Sequence, residues 1–128
     1  MTMSPRNKII LAYLMLLLFT VAHQFEEAWG GFWISKVLGL GWFLAINWLL
    51  LCIPFTILYF ILLEKRWAYY TGAIYGAFMT VNGAGHIILT LVSGKYFDFA
   101  AGAVSGAALI IAGPILTYLL IKRVRSRD

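Results

Sequence analysis

The sequence predicts an all-α fold: a polytopic membrane protein whose four transmembrane helices form one bundle, with both chain ends in the cytoplasm. Three observations carry this expectation. Hydrophobic residues make up 62% of the 128 residues and charged residues only 12%, about half the charge of a typical water-soluble domain. Four apolar stretches lie at about residues 9–30, 40–63, 68–92 and 99–121, each close to the roughly 20 residues that cross a hydrocarbon layer as a helix. Basic residues alternate between the connections. Arg6, Lys8, Lys65, Arg66, Lys122, Arg123, Arg125 and Arg127 fall on one side of such a bundle, and only Lys36 and Lys95 on the other. That asymmetry orients membrane helices with the basic side inward. Residues 1–128 therefore read as a single membrane domain, multi-pass in the inner (cell) membrane and surrounded by lipid.

The first stretch follows basic residues as a leader peptide would. No small-x-small cleavage site follows Val21, and apolar character continues through Phe32 and Trp33, so it is expected to remain as a span. In the second stretch, Pro54 should interrupt the helix and free the carbonyl of Leu50, one turn beyond Asn47. Cys52, the single cysteine, excludes an intrachain disulfide or a multi-cysteine metal site and reads as a small core residue. The third stretch carries Gly72, Gly76, Met79, Gly83, His86 and Thr90 at alternating spacings of four and three, which places them on one face. The fourth repeats the pattern with Asp98, Gly102, Ser105, Gly106, Leu109 and Gly113. Small residues allow close approach between helices in lipid, and the pairs Gly72/Gly76 and Gly102/Gly106 serve contacts within the chain or in a homodimer. Trp29, Trp33 and Trp42 form an expected outer aromatic belt, and Trp67, Tyr69 and Tyr70 an inner one.

The basic tail from Lys122 to Arg127 anchors topology and is not a nucleic-acid arm. No glycine loop ahead of a lysine and no nucleophile-elbow serine occurs. The ionisable residues inside the apolar stretches need a different account. An ionised side chain at the centre of a spanning helix costs about 2.5–3.5 kcal/mol on insertion scales. Yet His23, Glu26 and Glu27 share one broad face of the first stretch, and His86 lies at the matching height of the third. Asn82 and Asn47 extend this set as supporting polar residues, with Tyr96 and Asp98 above it at the outer rim. Imidazole and carboxylate together suit a divalent metal such as zinc, iron or manganese. His23, Glu27 and His86 are the first-choice ligands, with Glu26 as a fourth ligand or a general base. Without metal, Glu26 or Glu27 is the catalytic acid or base of an isomerisation or cyclisation.

The run Ala22-His23-Gln24-Phe25-Glu26-Glu27 resembles the defining motif of the HXXEE domain family, small bacterial integral-membrane proteins. His86, in Asn82-Gly83-Ala84-Gly85-His86, matches that family's second histidine. A third motif, Tyr-x-Pro-Gly, is matched at Tyr96, whereas Asp98 and Phe99 stand where proline and glycine are expected. The resemblance implies the four-span fold and the joint use of His23, Glu26, Glu27 and His86. No reaction is assigned to that family, so it implies none here.

Three classes of function fit these residues. One is a membrane enzyme acting on a lipophilic, isoprenoid-like or quinone-like molecule. Another is a binding or transport protein for a proton, metal ion or small molecule. The third is a scaffold whose polar residues only hold helices together. A transporter needs a polar path to the cytoplasm, and below His23 and Asn82 only Tyr13, Thr20 and Tyr75 offer one. This favours a one-sided pocket.

Overall fold

A computed structural model describes residues 3–96 and 101–126. Among these residues the chain forms five helices: α1 (Pro5–Gly30), α2 (Trp33–Leu38), α3 (Leu40–Leu62), α4 (Arg66–Ser93) and α5 (Ala103–Arg125). Four of them, all but α2, are long and apolar enough to cross a membrane. The expected four-helix bundle is the fold.

The helix ends differ from the sequence boundaries for local reasons. α1 starts one turn early because Pro5 occupies its first turn and the Ser4 hydroxyl accepts the Asn7 N–H at 3.2 Å, which satisfies one of the amide donors left over at a helix start. It stops at Gly31, whose φ of 69° turns the chain left-handed while its N–H bonds the Glu27 carbonyl. The short α2 follows in a stretch that hydropathy leaves as a connection. α5 begins at Ala103 rather than near residue 99, behind Gly102 with φ 116°. Asp98 and Phe99 lie outside the described residues.

α4 and α5 pack backbone to backbone. A methyl group on Gly106 would meet the Gly83 carbonyl at 2.9 Å, and one on Gly76 would meet the Gly113 carbonyl at 2.9 Å. The Thr117 hydroxyl donates across the same seam to the Ala73 carbonyl at 3.1 Å. The predicted small-residue faces therefore meet each other within the chain. At one end of the bundle, Tyr13, Leu16, Leu109, Leu116 and Leu120 are fully buried, joined by Ile57, Leu58 and Ile61 of α3. The Tyr13 hydroxyl donates to the Pro54 carbonyl at 3.0 Å, so the proline is a buried contact inside a continuous α3.

The first half of α3 departs from this packing. Leu44, Ile46, Trp48, Leu49 and Leu50 are exposed, and the space between α3 and the other helices becomes a cavity. The outer surface is apolar, with Trp29, Leu91 and Val92 more than three-quarters exposed, as suits helices wrapped in lipid. Two sequence expectations are corrected. Cys52 lies on the exposed side of α3, because a helix apolar all round gives no signal of which side faces the core. Tyr69 is buried in the core rather than in the aromatic belt, while Trp67 and Tyr70 remain exposed.

Two outcomes follow from this packing. Gly106→Ala should destabilise the detergent-solubilised protein by about 1–3 kcal/mol, the usual cost of overpacking. Gly85→Ala, where an added methyl group meets nothing within 4 Å, should be neutral or stabilise by up to about 1 kcal/mol; denaturant titration followed by circular dichroism reads both. For topology, Arg6 reaches the Leu62 carbonyl at 3.1 Å and lies 3.9 Å from Glu64, so the start of α1 and the end of α3 share one end of the bundle. With the basic residues inward, a fluorescent protein fused after Arg125 should fold and fluoresce. Alkaline phosphatase fused after Ser93 should be active, and the reverse pattern would invert the orientation.

Candidate functional site

His23 and Glu27 are one helical turn apart on α1, so both side chains project from the same side. His86 comes from α4, at the far end of the small-residue face that seats this helix on α5. The three residues are 2%, 7% and 4% exposed respectively, which leaves bulk water no role in compensating them. His86 Nε2 is 3.0 Å from Glu27 Oε1. His23 Nε2 is 3.5 Å from the same oxygen and makes no hydrogen bond. The two imidazole rings meet edge to face with centroids 4.6 Å apart. One ligand atom from each of the three residues lies within 4.8 Å of the others.

Two neighbours complete the enclosure. Past the left-handed Gly31, the chain lays Phe32 against the His86 ring, with centroids 4.8 Å apart. Gly102 fills the other side. A methyl group there would come within 2.7 Å of both His23 Cε1 and His86 Nδ1, and its φ of 116° is a conformation other residues rarely adopt. Glycine is required at this position twice over, by backbone and by space.

Glu26 does not join the cluster. Successive helical residues diverge by about 100°, and its carboxylate turns toward the start of α5. There it accepts the Val104 N–H at 3.1 Å and the Ser105 N–H at 2.8 Å, together with the hydroxyls of Tyr96 and Ser105. A carboxylate at a helix N-terminus answers the free amides and the positive end of the helix dipole. Ser105 also contacts His23 Nδ1 at 2.9 Å, so Glu26 reaches the cluster only through this hydroxyl. Sequence reasoning placed Ser105 on a packing face and missed this link. An α5 helix start near Ser105 would have been the signal, and residues 99–102 read as helix instead. Partial burial and the Glu26 carboxylate push the Tyr96 phenol up from 10.0 to about 12, so it stays a proton donor through the physiological range.

On the opposite side, His23, Glu27 and His86 open onto a cavity of about 510 Å³ between α1, α2, α3 and α4. Its walls are mainly apolar, including Phe43, Ile46, Leu50, Phe78 and Met79, and its polar groups are few. Asn82 lines the cavity with its Oδ1 buried and without a hydrogen-bond partner. Asn47 lines it from α3, although its amide donates back to the Phe43 carbonyl at 3.0 Å. The structure thus gathers His23, Glu27, His86, Asn82 and Asn47 around one space. Glu26 and Tyr96 stand behind it, and Asp98 lies outside the described residues. At the base, the hydroxyls of Thr20 and Tyr75 bond each other at 2.8 Å, with fully buried Leu16 one turn below Thr20 on α1. Below this pair the Tyr13 ring stacks on Tyr75, and the Tyr13 hydroxyl is spent on the Pro54 carbonyl.

Comparison with protein families, curated proteins and solved structures finds no match to this chain.

The Tyr96–Glu26 contact predicts a pH signature. A phenol pKa raised on folding contributes stability that is complete below the unfolded value of 10.0 and is lost as pH rises toward about 12. Tyr96→Phe should therefore cost about 1 kcal/mol at pH 7–9, with the gap to wild type closing between pH 10 and 12. Unfolding curves of both proteins across that range check this.

Proposed function

We propose that this chain is a bacterial inner-membrane protein that holds a divalent metal, zinc, iron or manganese, on His23, Glu27 and His86. In this reading it transforms a lipophilic, isoprenoid-like molecule bound in the adjoining cavity. The observation that carries it is the convergence of three buried ligand atoms from two helices, one of them, His23 Nε2, without any hydrogen-bond partner. A tetrahedral ion about 2.0–2.1 Å from each ligand sets those ligands about 3.3 Å apart. The contacts of Glu27 Oε1, 3.5 Å to His23 and 3.0 Å to His86, bracket that spacing. Two imidazoles and one carboxylate also leave a coordination position open, as catalytic zinc and non-haem iron sites do.

A metal bound here would supply a Lewis acid for a substrate oxygen. The remaining work belongs to the protein. A cavity of about 510 Å³ is within the size range of small-molecule sites, and its apolar walls select a hydrocarbon body. Asn82, with an unpartnered buried oxygen, suits a hydroxyl or N–H at the polar end of the ligand. Phe32 and Gly102 keep water from the imidazoles. The Thr20–Tyr75 floor favours a one-sided pocket over a conduit. The HXXEE-like run and His86 belong to the same proposal, since they supply all three ligands.

A second reading needs no metal. The 3.0 Å contact between His86 Nε2 and Glu27 is an imidazole–carboxylate couple facing the cavity, able to move a proton in an isomerisation or cyclisation.

Elemental analysis of the detergent-purified protein separates the two. Close to one zinc, iron or manganese per chain is expected. It should fall to background in folded His23→Ala, Glu27→Ala and His86→Ala variants and persist in Asn47→Ala. Metal-free wild type after growth with added metals would sink the first reading and leave the Glu27–His86 couple.

A further inference from the structure

Four donors converge on Glu26. The Val104 N–H and the Tyr96 hydroxyl reach Oε1, and the Ser105 N–H and Ser105 hydroxyl reach Oε2. Two of these are backbone amides, which can only donate. An ionised carboxylate offers about four acceptor sites and no donor, so this carboxylate is filled as an acceptor. The Ser105 proton then goes to Glu26, the nearer acceptor, rather than to the Gly102 carbonyl 3.4 Å away. Were it turned to His23 instead, the serine and carboxylate oxygens would face each other as two acceptors at hydrogen-bond distance. With its proton spent, Ser105 Oγ has only lone pairs to offer His23 Nδ1, 2.9 Å away. The hydrogen of a neutral His23 must therefore sit on Nδ1.

We infer that Glu26 and Ser105 are a positioning pair that acts through His23, holding it as the Nδ1–H tautomer with the Nε2 lone pair presented to Glu27 and His86. This accounts for an otherwise costly feature. His23 Nε2 is buried 3.5 Å from a carboxylate oxygen and makes no hydrogen bond with it, as expected of two acceptors placed to share a cation. The opposite tautomer would donate from Nε2 to Glu27 and close the site on itself. Adjacent glutamates thus divide the work: Glu27 faces the cluster, and Glu26 sets the chemistry of His23 from behind. The consequence for a metal rests on the reading proposed above, whereas the tautomer does not.

Long-range proton–nitrogen correlation spectra of the histidine-labelled, chelator-treated full chain in detergent test the inference. The chain has two histidines, so a His86→Asn sample serves to assign His23. The expected wild-type result is His23 protonated at Nδ1 and bare at Nε2. In Ser105→Ala the ring should pass to a mixture of tautomers or to Nε2–H, and zinc affinity, read by competition with a chelating dye, should fall about 10–100-fold. A wild-type Nε2–H tautomer overturns the inference, as does an unchanged Nδ1–H tautomer in folded Ser105→Ala. If that variant does not fold, the wild-type spectrum decides alone. Wild type that binds no zinc yet shows the Nδ1–H tautomer defeats the metal reading and leaves the positioning pair standing.

Discussion

The arrangement of this bundle depends on how a carboxylate can be kept where water does not reach. Glu27 is buried among helices, and an isolated ionised carboxylate in such surroundings is far too costly to persist uncompensated. Its neighbours are His23 Nε2, one turn away on the same helix at 3.5 Å and without a hydrogen bond to it, and His86 on α4, the partner at 3.0 Å that compensates it. That partner is available only because α4 and α5 approach at Gly83 and Gly106, where either backbone would collide with a larger residue. Gly102 continues the same requirement at the top of α5, leaving beside the two rings a space that a single methyl group would fill. The glycines of this chain and its buried charge are two sides of one constraint.

The surroundings of that carboxylate are unequal. Toward α5 they are polar and tightly ordered, with the helix start, Ser105 and Tyr96 converging on Glu26. Toward α3 they are apolar and open, with Phe43, Ile46 and Leu50 lining the cavity and Trp48 and Leu49 exposed on the same helix. A rigid polar back wall and a roomy apolar front suit a site that holds one end of a lipophilic molecule. The hydroxyl pair of Thr20 and Tyr75 closes the base above a core rich in leucine, where the Tyr13 and Thr117 hydroxyls are spent on backbone carbonyls.

Much of this was legible in the residues alone. Four spans follow from length and hydropathy, since a backbone in lipid must satisfy its own hydrogen bonds and helices do so. The faces of α4 and α5 follow from the spacing of their glycines, and the match in height of His23, Glu27 and His86 follows from counting at about 1.5 Å per residue. Less was legible where all sides of a helix are equally apolar. Cys52 fell on an unexpected side for that reason, whereas Tyr69 continues the buried glycine face of α4 three residues before Gly72, and the short α2 had no hydropathy signal to mark it.

What the sequence determined by itself is the fold class and the inventory of the site, because periodicity and composition act locally along each helix. What only the tertiary structure decided is which groups share a proton or a cation. Glu26 and Glu27 are chemically identical neighbours, and a rotation of about 100° between them sends one to α5 and the other to the histidines. That assignment depends on where a distant helix begins, on a left-handed glycine at residue 102, and on hydrogen-bond directions that a linear string of residues does not carry.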